Sequence, residues 1–119
     1  MYVISVEDTF DAAHCLPDYE GSCKRLHGHT YRVQIEFMCA DVDESGMAID
    51  FRQAKQLLRS TLEYFDHQYI NDLPEFSNRI PTAENIARFI YDRIKTKNAR
   101  LRSVSVWETP TSRATYYED

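Results

Sequence analysis

Residues 30–40 alternate with a strict period of two. Tyr31, Val33, Ile35, Phe37 and Cys39 fall on one side, and Thr30, Arg32, Gln34, Glu36 and Met38 on the other. Side chains alternate across a strand, so this pattern predicts a half-buried antiparallel strand with one apolar face. Residues 2–14 carry Val3, Ile4, Val6 and Phe10 among polar neighbours and are predicted to pair with it. Residues 18–21 form a turn cluster, and the polar residues 41–46 end the pair as a loop. From Asp50 the period changes: Phe51, Ala54, Leu57, Leu58, Thr61, Leu62 and Phe65 recur at steps of three and four, as on an amphipathic helix with Asp50 as N-cap. A loop through Asn71, Pro74 and Pro81 leads to a second helix, capped by Thr82, with Glu84 in its first turn and Ile86, Ala87, Phe89, Ile90 and Ile94 as its buried stripe. Residues 101–109 alternate again, and residues 113–117 make a last short strand after Pro110.

The predicted order is β-β-α-α-β-β. Strands and helices segregate instead of alternating, which predicts an α+β fold: an antiparallel four-stranded sheet with two helices on one face. Such a sheet has two bare edges, and bare edges invite pairing with further chains, so the domain is expected to oligomerise through its sheets. At 119 residues the chain is expected to be a single domain, 1–119, with no linker and no repeat.

Composition narrows the function classes. With 14 basic and 19 acidic residues the formal net charge is −5, which speaks against a general nucleic-acid binder. No apolar run approaches the roughly 20 residues of a membrane span, and the opening MYVISVEDTF lacks the features of a secretory signal. Three cysteines, Cys15, Cys23 and Cys39, cannot all pair with one another. Together these features lead to an expected cytoplasmic location with thiols free, metal-bound or catalytic.

The chemistry concentrates in CKRLHGH, residues 23–29. In an extended chain His27 and His29 point the same way, and His14, at the end of the preceding strand, comes near them if the two strands form a hairpin. Three neutral imidazoles with one open position are the donor set of a catalytic zinc site, whereas an HxH pair alone is commonly a surface feature. Cys23 also has two readings: a small packing residue, or a thiol made reactive by Lys24, Arg25 or a nearby metal. The pair Asp66-His67 could arise by chance at a helix end or could supply an oriented general acid or base. Glu108 lies late in a Val- and Trp-containing strand; it would either pair with an arginine or accept two adjacent N–H groups of a ligand.

The motifs FDAAH (residues 10–14), CKRLHGH, GMAIDF (46–51), DHQYIND (66–72), PTAEN (81–85) and the WET ending at Thr109 occur in that order, and with them the chain resembles the 6-pyruvoyl-tetrahydropterin synthase family. The CxxxHGH spacing is similar to the family's queuosine-biosynthesis branch. The resemblance implies the tunnelling fold, with sheets assembled into β-barrels, commonly as homohexamers with sites at subunit interfaces. It implies Zn2+ on His14, His27 and His29, a catalytic trio of Cys23, Asp66 and His67, and Glu108 as the anchor of a pterin ring, with Thr82 and Glu84 near the pocket. Ile80 and Cys15 depart from the usual motifs without removing a site residue.

The implied reaction converts 7,8-dihydroneopterin triphosphate to 6-carboxy-5,6,7,8-tetrahydropterin with release of acetaldehyde and triphosphate, with Lys24 and Arg25 as candidate triphosphate contacts. The partner is then a small molecule, with no role for nucleic acid or membrane. Three alternatives stay open: a 6-pyruvoyl-tetrahydropterin or folate-pathway enzyme, a non-catalytic pterin- or zinc-binding protein, and a zinc hydrolase independent of Cys23.

Overall fold

The computed structural model describes residues 1–17, 21 and 25–119. Two long strands, β1 (Tyr2–His14) and β2 (His27–Cys39), run antiparallel over their full length, from Tyr2 opposite Cys39 to His14 opposite His27. Helix α1 (Phe51–Leu62) follows, then the two-residue strand β3 (Gln68–Tyr69), helix α2 (Ala83–Lys95), and a hairpin of β4 (Leu101–Thr109) and β5 (Ser112–Tyr117). The sheet order is β3-β1-β2-β4-β5. The expected four strands therefore become five. β3 is the addition, pairing parallel to β1 at Ala12 and Ala13, and a two-residue strand has no periodicity to announce it. Residues 18–20 of the predicted turn cluster lie outside the described residues, as do Cys23 and Lys24.

Both helices start where a side chain satisfies an orphan backbone N–H. Asp50 accepts from the N–H of Arg52 at 2.8 Å, and Thr82 accepts from that of Asn85 at 3.2 Å. Helix α1 packs over β1, α2 over β4 and β5, and the two helices touch each other. One sheet face is thus covered, and its residues Phe10, Tyr31, Val33, Ile35, Val104 and Val106 join Leu58, Leu62, Ile86 and Ile90 in one core. Phe51, predicted on the apolar stripe of α1, is 61% exposed: it sits in the first turn, before the helix reaches the core.

Phe10 lies at the centre of this core, stacked 4.7 Å from Tyr31 and 5.2 Å from Phe65. Phe10→Ala is expected to cost about 3–5 kcal/mol, because the cavity cannot collapse between two fixed rings. Chemical denaturation with an unchanged m-value would measure it.

No helix among the described residues covers the opposite sheet face. There Arg32 stacks on Trp107, 3.9 Å from the ring centre. Two edges remain available for pairing among the described residues: β5, and β1 over residues 2–8, since β3 covers Ala12 and Ala13, Asp66 and His67 occupy the Asp11 backbone, and Arg59 takes the Thr9 carbonyl. No helix is long and apolar enough to cross a membrane, among the described residues.

Candidate active site

The β1–β2 register brings three histidines together. His14 stands directly opposite His27, and His29 opposite Ala12, so all three project on the helix-covered face near the sheet end. His14 Nε2 lies 2.9 Å from His27 Nε2 and 3.1 Å from His29 Nε2. Their outer contacts set the tautomers. His14 Nδ1 is 2.7 Å from the Pro81 carbonyl, and His27 Nδ1 is 2.6 Å from the Arg25 carbonyl. A carbonyl only accepts, so each Nδ1 carries the proton and each Nε2 presents a lone pair. Two lone pairs facing each other at 2.9 Å have no hydrogen to share, which is the arrangement that a cation stabilises. The cluster can hold a metal ion.

Electrostatics agree with neutral donors. Burial pushes both His14 and His29 below the ordinary histidine pKa, outweighing the nearby Glu108 carboxylate that raises them. The neutral imidazole is the ligating form. Tyr31, which sequence reasoning treated only as a core residue, has its hydroxyl 3.1 Å from His14 Nδ1, and burial pushes its phenol up. Gly28, between the two ligand candidates, is not demanded by space within the chain: a Cβ there would meet only the Ala12 carbonyl oxygen at 3.6 Å, an ordinary contact.

Glu108 shares the histidine face. It follows Val104 and Val106 along β4, is half-buried, and its charge acts on His14, His29 and Tyr31. None of the ion pairs among the described residues involves it. It lines a cavity of about 220 Å³ with Ala83, Glu84, Ser112 and Arg113. Glu84 is exposed at the start of α2, and the Thr82 hydroxyl serves as the α2 cap.

Asp66 and His67 form a separate group. His67 Nδ1 is 3.1 Å from Asp66 Oδ1. Asp66 is held below the usual carboxylate range, first by the Asp11 backbone N–H that donates to it at 3.0 Å, then by His67 and Arg59. The His67 N–H donates to the Asp11 carbonyl at 2.6 Å. This pair therefore hangs on the outer edge of β1, and Asp11, which neighbours it, points away from the face that carries His14. Cys23, the third member of the expected trio, lies outside the described residues.

The model for the family described as 6-pyruvoyl tetrahydropterin synthase matches residues 3–119. The chain belongs to that family. It is 37% identical to the 6-carboxy-5,6,7,8-tetrahydropterin synthase of Haemophilus influenzae, covering 99% of this chain and 100% of that protein. The Synechocystis protein of the same description is 38% identical over 98% of this chain and 94% of its own length. Among solved structures, the 6-pyruvoyl tetrahydropterin synthase of Caenorhabditis elegans superposes with a TM-score of 0.87 at 27% identity, covering 100% of this chain and 98% of that one. The protein is thus an enzyme of the pterin-synthase family with a three-histidine cluster fit for a metal.

Proposed function

We propose that the protein converts 7,8-dihydroneopterin triphosphate and a water molecule, the source of the new carboxyl oxygen, to 6-carboxy-5,6,7,8-tetrahydropterin, releasing acetaldehyde and triphosphate, as a step of queuosine biosynthesis in the cytoplasm. The observation that carries this reading is the convergence of His14, His27 and His29 beside Glu108, in a chain similar over its whole length to proteins of that description.

The proposed metal is Zn2+, which suits an all-imidazole donor set and supplies Lewis acidity toward the substrate's side-chain hydroxyl oxygens. The protein's residues do the rest. Glu108 accepts the amino and ring N–H groups of the pterin in bidentate fashion. Cys23 takes a proton from the side chain, and His67, oriented by Asp66, moves protons to and from the oxygens. Thr82 and Glu84 border the ring site. No redox cofactor is required, because oxidation at the cleaved side chain is balanced by reduction of the ring.

The placement of these groups supports a site shared between copies. The three imidazoles meet on the helix-covered face, while Asp66-His67 sits on the β1 edge, beside an open depression of about 550 Å³ that Asp11, Gly28, His29, Thr30 and His67 line. The two groups are separate clusters within one copy, so in this reading one copy's imidazole cluster would be completed by another copy's Asp66-His67. The unpaired edges of β1 and β5 are where copies would join, as a homo-oligomer with the hexamer as the expected form.

Incubation with dihydroneopterin triphosphate and zinc, followed by mass spectrometry, tests the reading. Equimolar acetaldehyde and the 6-carboxy product are expected. A 6-pyruvoyl product, or cleavage without acetaldehyde capture, would move the enzyme to another branch of its family. No turnover in excess zinc would favour a binding protein.

A further inference from the structure

We infer that Asp11 is a positioning residue of the proposed proton relay, through a carboxylate that sets the His67 ring in place. This rests on the reading of His67 as the proton carrier.

Three observations meet at Asp11. Its backbone holds both members of the pair: the N–H donates to Asp66 Oδ1 at 3.0 Å, and the carbonyl accepts the His67 N–H at 2.6 Å. Its side chain is itself fixed, because the Thr30 hydroxyl, directly opposite in the β1–β2 register, donates to Asp11 Oδ1 at 2.5 Å. That fixed carboxylate then has an oxygen within 4.8 Å of both an Asp66 oxygen and a His67 ring nitrogen.

His67 needs such help. Its ring is 78% exposed, so packing does not hold it. Its backbone adopts φ of 60°, the left-handed region that is costly for a non-glycine residue, and such a conformation persists only where surrounding contacts over-determine it. Asp66 alone is a divided partner, because Arg59 also reaches it at 3.6 Å while pairing with Asp8 at 3.5 Å. A second carboxylate, anchored to the rigid strand pair through Thr30, narrows the ring's range and favours the orientation in which a proton can be passed. Sequence reading passed over Asp11 because nothing in FDAAH distinguishes it from a solvated strand residue.

The test is a double-mutant cycle on the zinc-loaded enzyme with dihydroneopterin triphosphate. Asp11→Asn should lower kcat about 10–100-fold, the usual effect of losing an orienting partner, with KM, zinc content and melting temperature near those of the parent. In a His67→Asn background the same change should cost less than about twofold, since groups that act as a unit are not additive. Thr30→Val, which keeps the carboxylate and removes its clamp, should cost part of the same factor. In ¹⁵N-histidine spectra, His67 should show one tautomer in the parent and averaged signals in Asp11→Asn, independently of turnover. Full kcat in Asp11→Asn while His67→Asn is inactive would overturn the role of Asp11 and leave the relay standing. An equal loss in both backgrounds would also overturn it, as the mark of a structural residue. Full activity in His67→Asn would overturn the relay itself.

Discussion

His14→Ala should abolish metal retention and turnover together. His14 Nε2 lies 2.9 Å from His27 Nε2 and 3.1 Å from His29 Nε2, and His14 is the fully buried member of the cluster. Losing a group that merely orients a ligand already costs about 10–100-fold in metal affinity, so loss of this ligand should exceed that range. The variant also leaves the Pro81 carbonyl and the Tyr31 hydroxyl without their imidazole, and a buried unsatisfied group costs about 1–3 kcal/mol. His27→Ala separates the two effects. His27 is only half-buried and its outer partner, the Arg25 carbonyl, is exposed, so metal should be lost with little change in apo stability. Elemental analysis after dialysis measures the first effect. Thermal melts with and without zinc measure the second, since a ligand that binds only the native state at 100 times its Kd adds about 2.7 kcal/mol. Zinc content equal to the parent in either variant would remove that histidine from the ligand set.

Cys23→Ala should lower turnover by about 10²–10⁴-fold, the span that a positioned proton-transfer group contributes, while zinc content stays at the parent level. The other two thiols do not compete for this assignment. Cys39 is buried on the core side of β2, and Cys15 is engaged by the Tyr69 hydroxyl at 3.1 Å and by the Asn71 amide. Near-normal turnover with zinc retained would refute Cys23 as the base and would favour hydrolysis by a metal-activated water. Together the two variants divide the chemistry: one loses metal and rate, the other rate alone.

Much of the architecture was legible before any coordinates. The alternation at Tyr31, Val33, Ile35 and Phe37 became the buried face of β2, and the three- and four-residue steps at Ala54, Leu58 and Leu62 became the buried face of α1. Asp50 and Thr82 both cap helices as predicted. These features are local: exposure repeats with the period of the backbone, and a cap needs a donor only two or three residues away. The convergence of His14 with His27 followed from the hairpin, because an antiparallel register pairs the ends of its strands. The edge strand β3 was not legible, since its two residues join β1 across 56 positions of sequence. Phe51 was misplaced because a periodic stripe does not reveal where a helix meets the core. Asp11 and Tyr31 looked ordinary because their partners, Asp66 and Pro81-bound His14, belong to other elements.

By itself, the sequence determined the types of the long elements, the helix starts, the family resemblance and the chemical identity of the candidate ligands, all of which depend on residue type and short-range spacing. Only the tertiary structure decided which face of the sheet each group occupies: the histidines with Glu108 under the helices, and Asp66 with His67 and Asp11 on the far edge. That division is set by strand register and by the single β3 pairing, and long-range pairings of this kind leave no period in the chain.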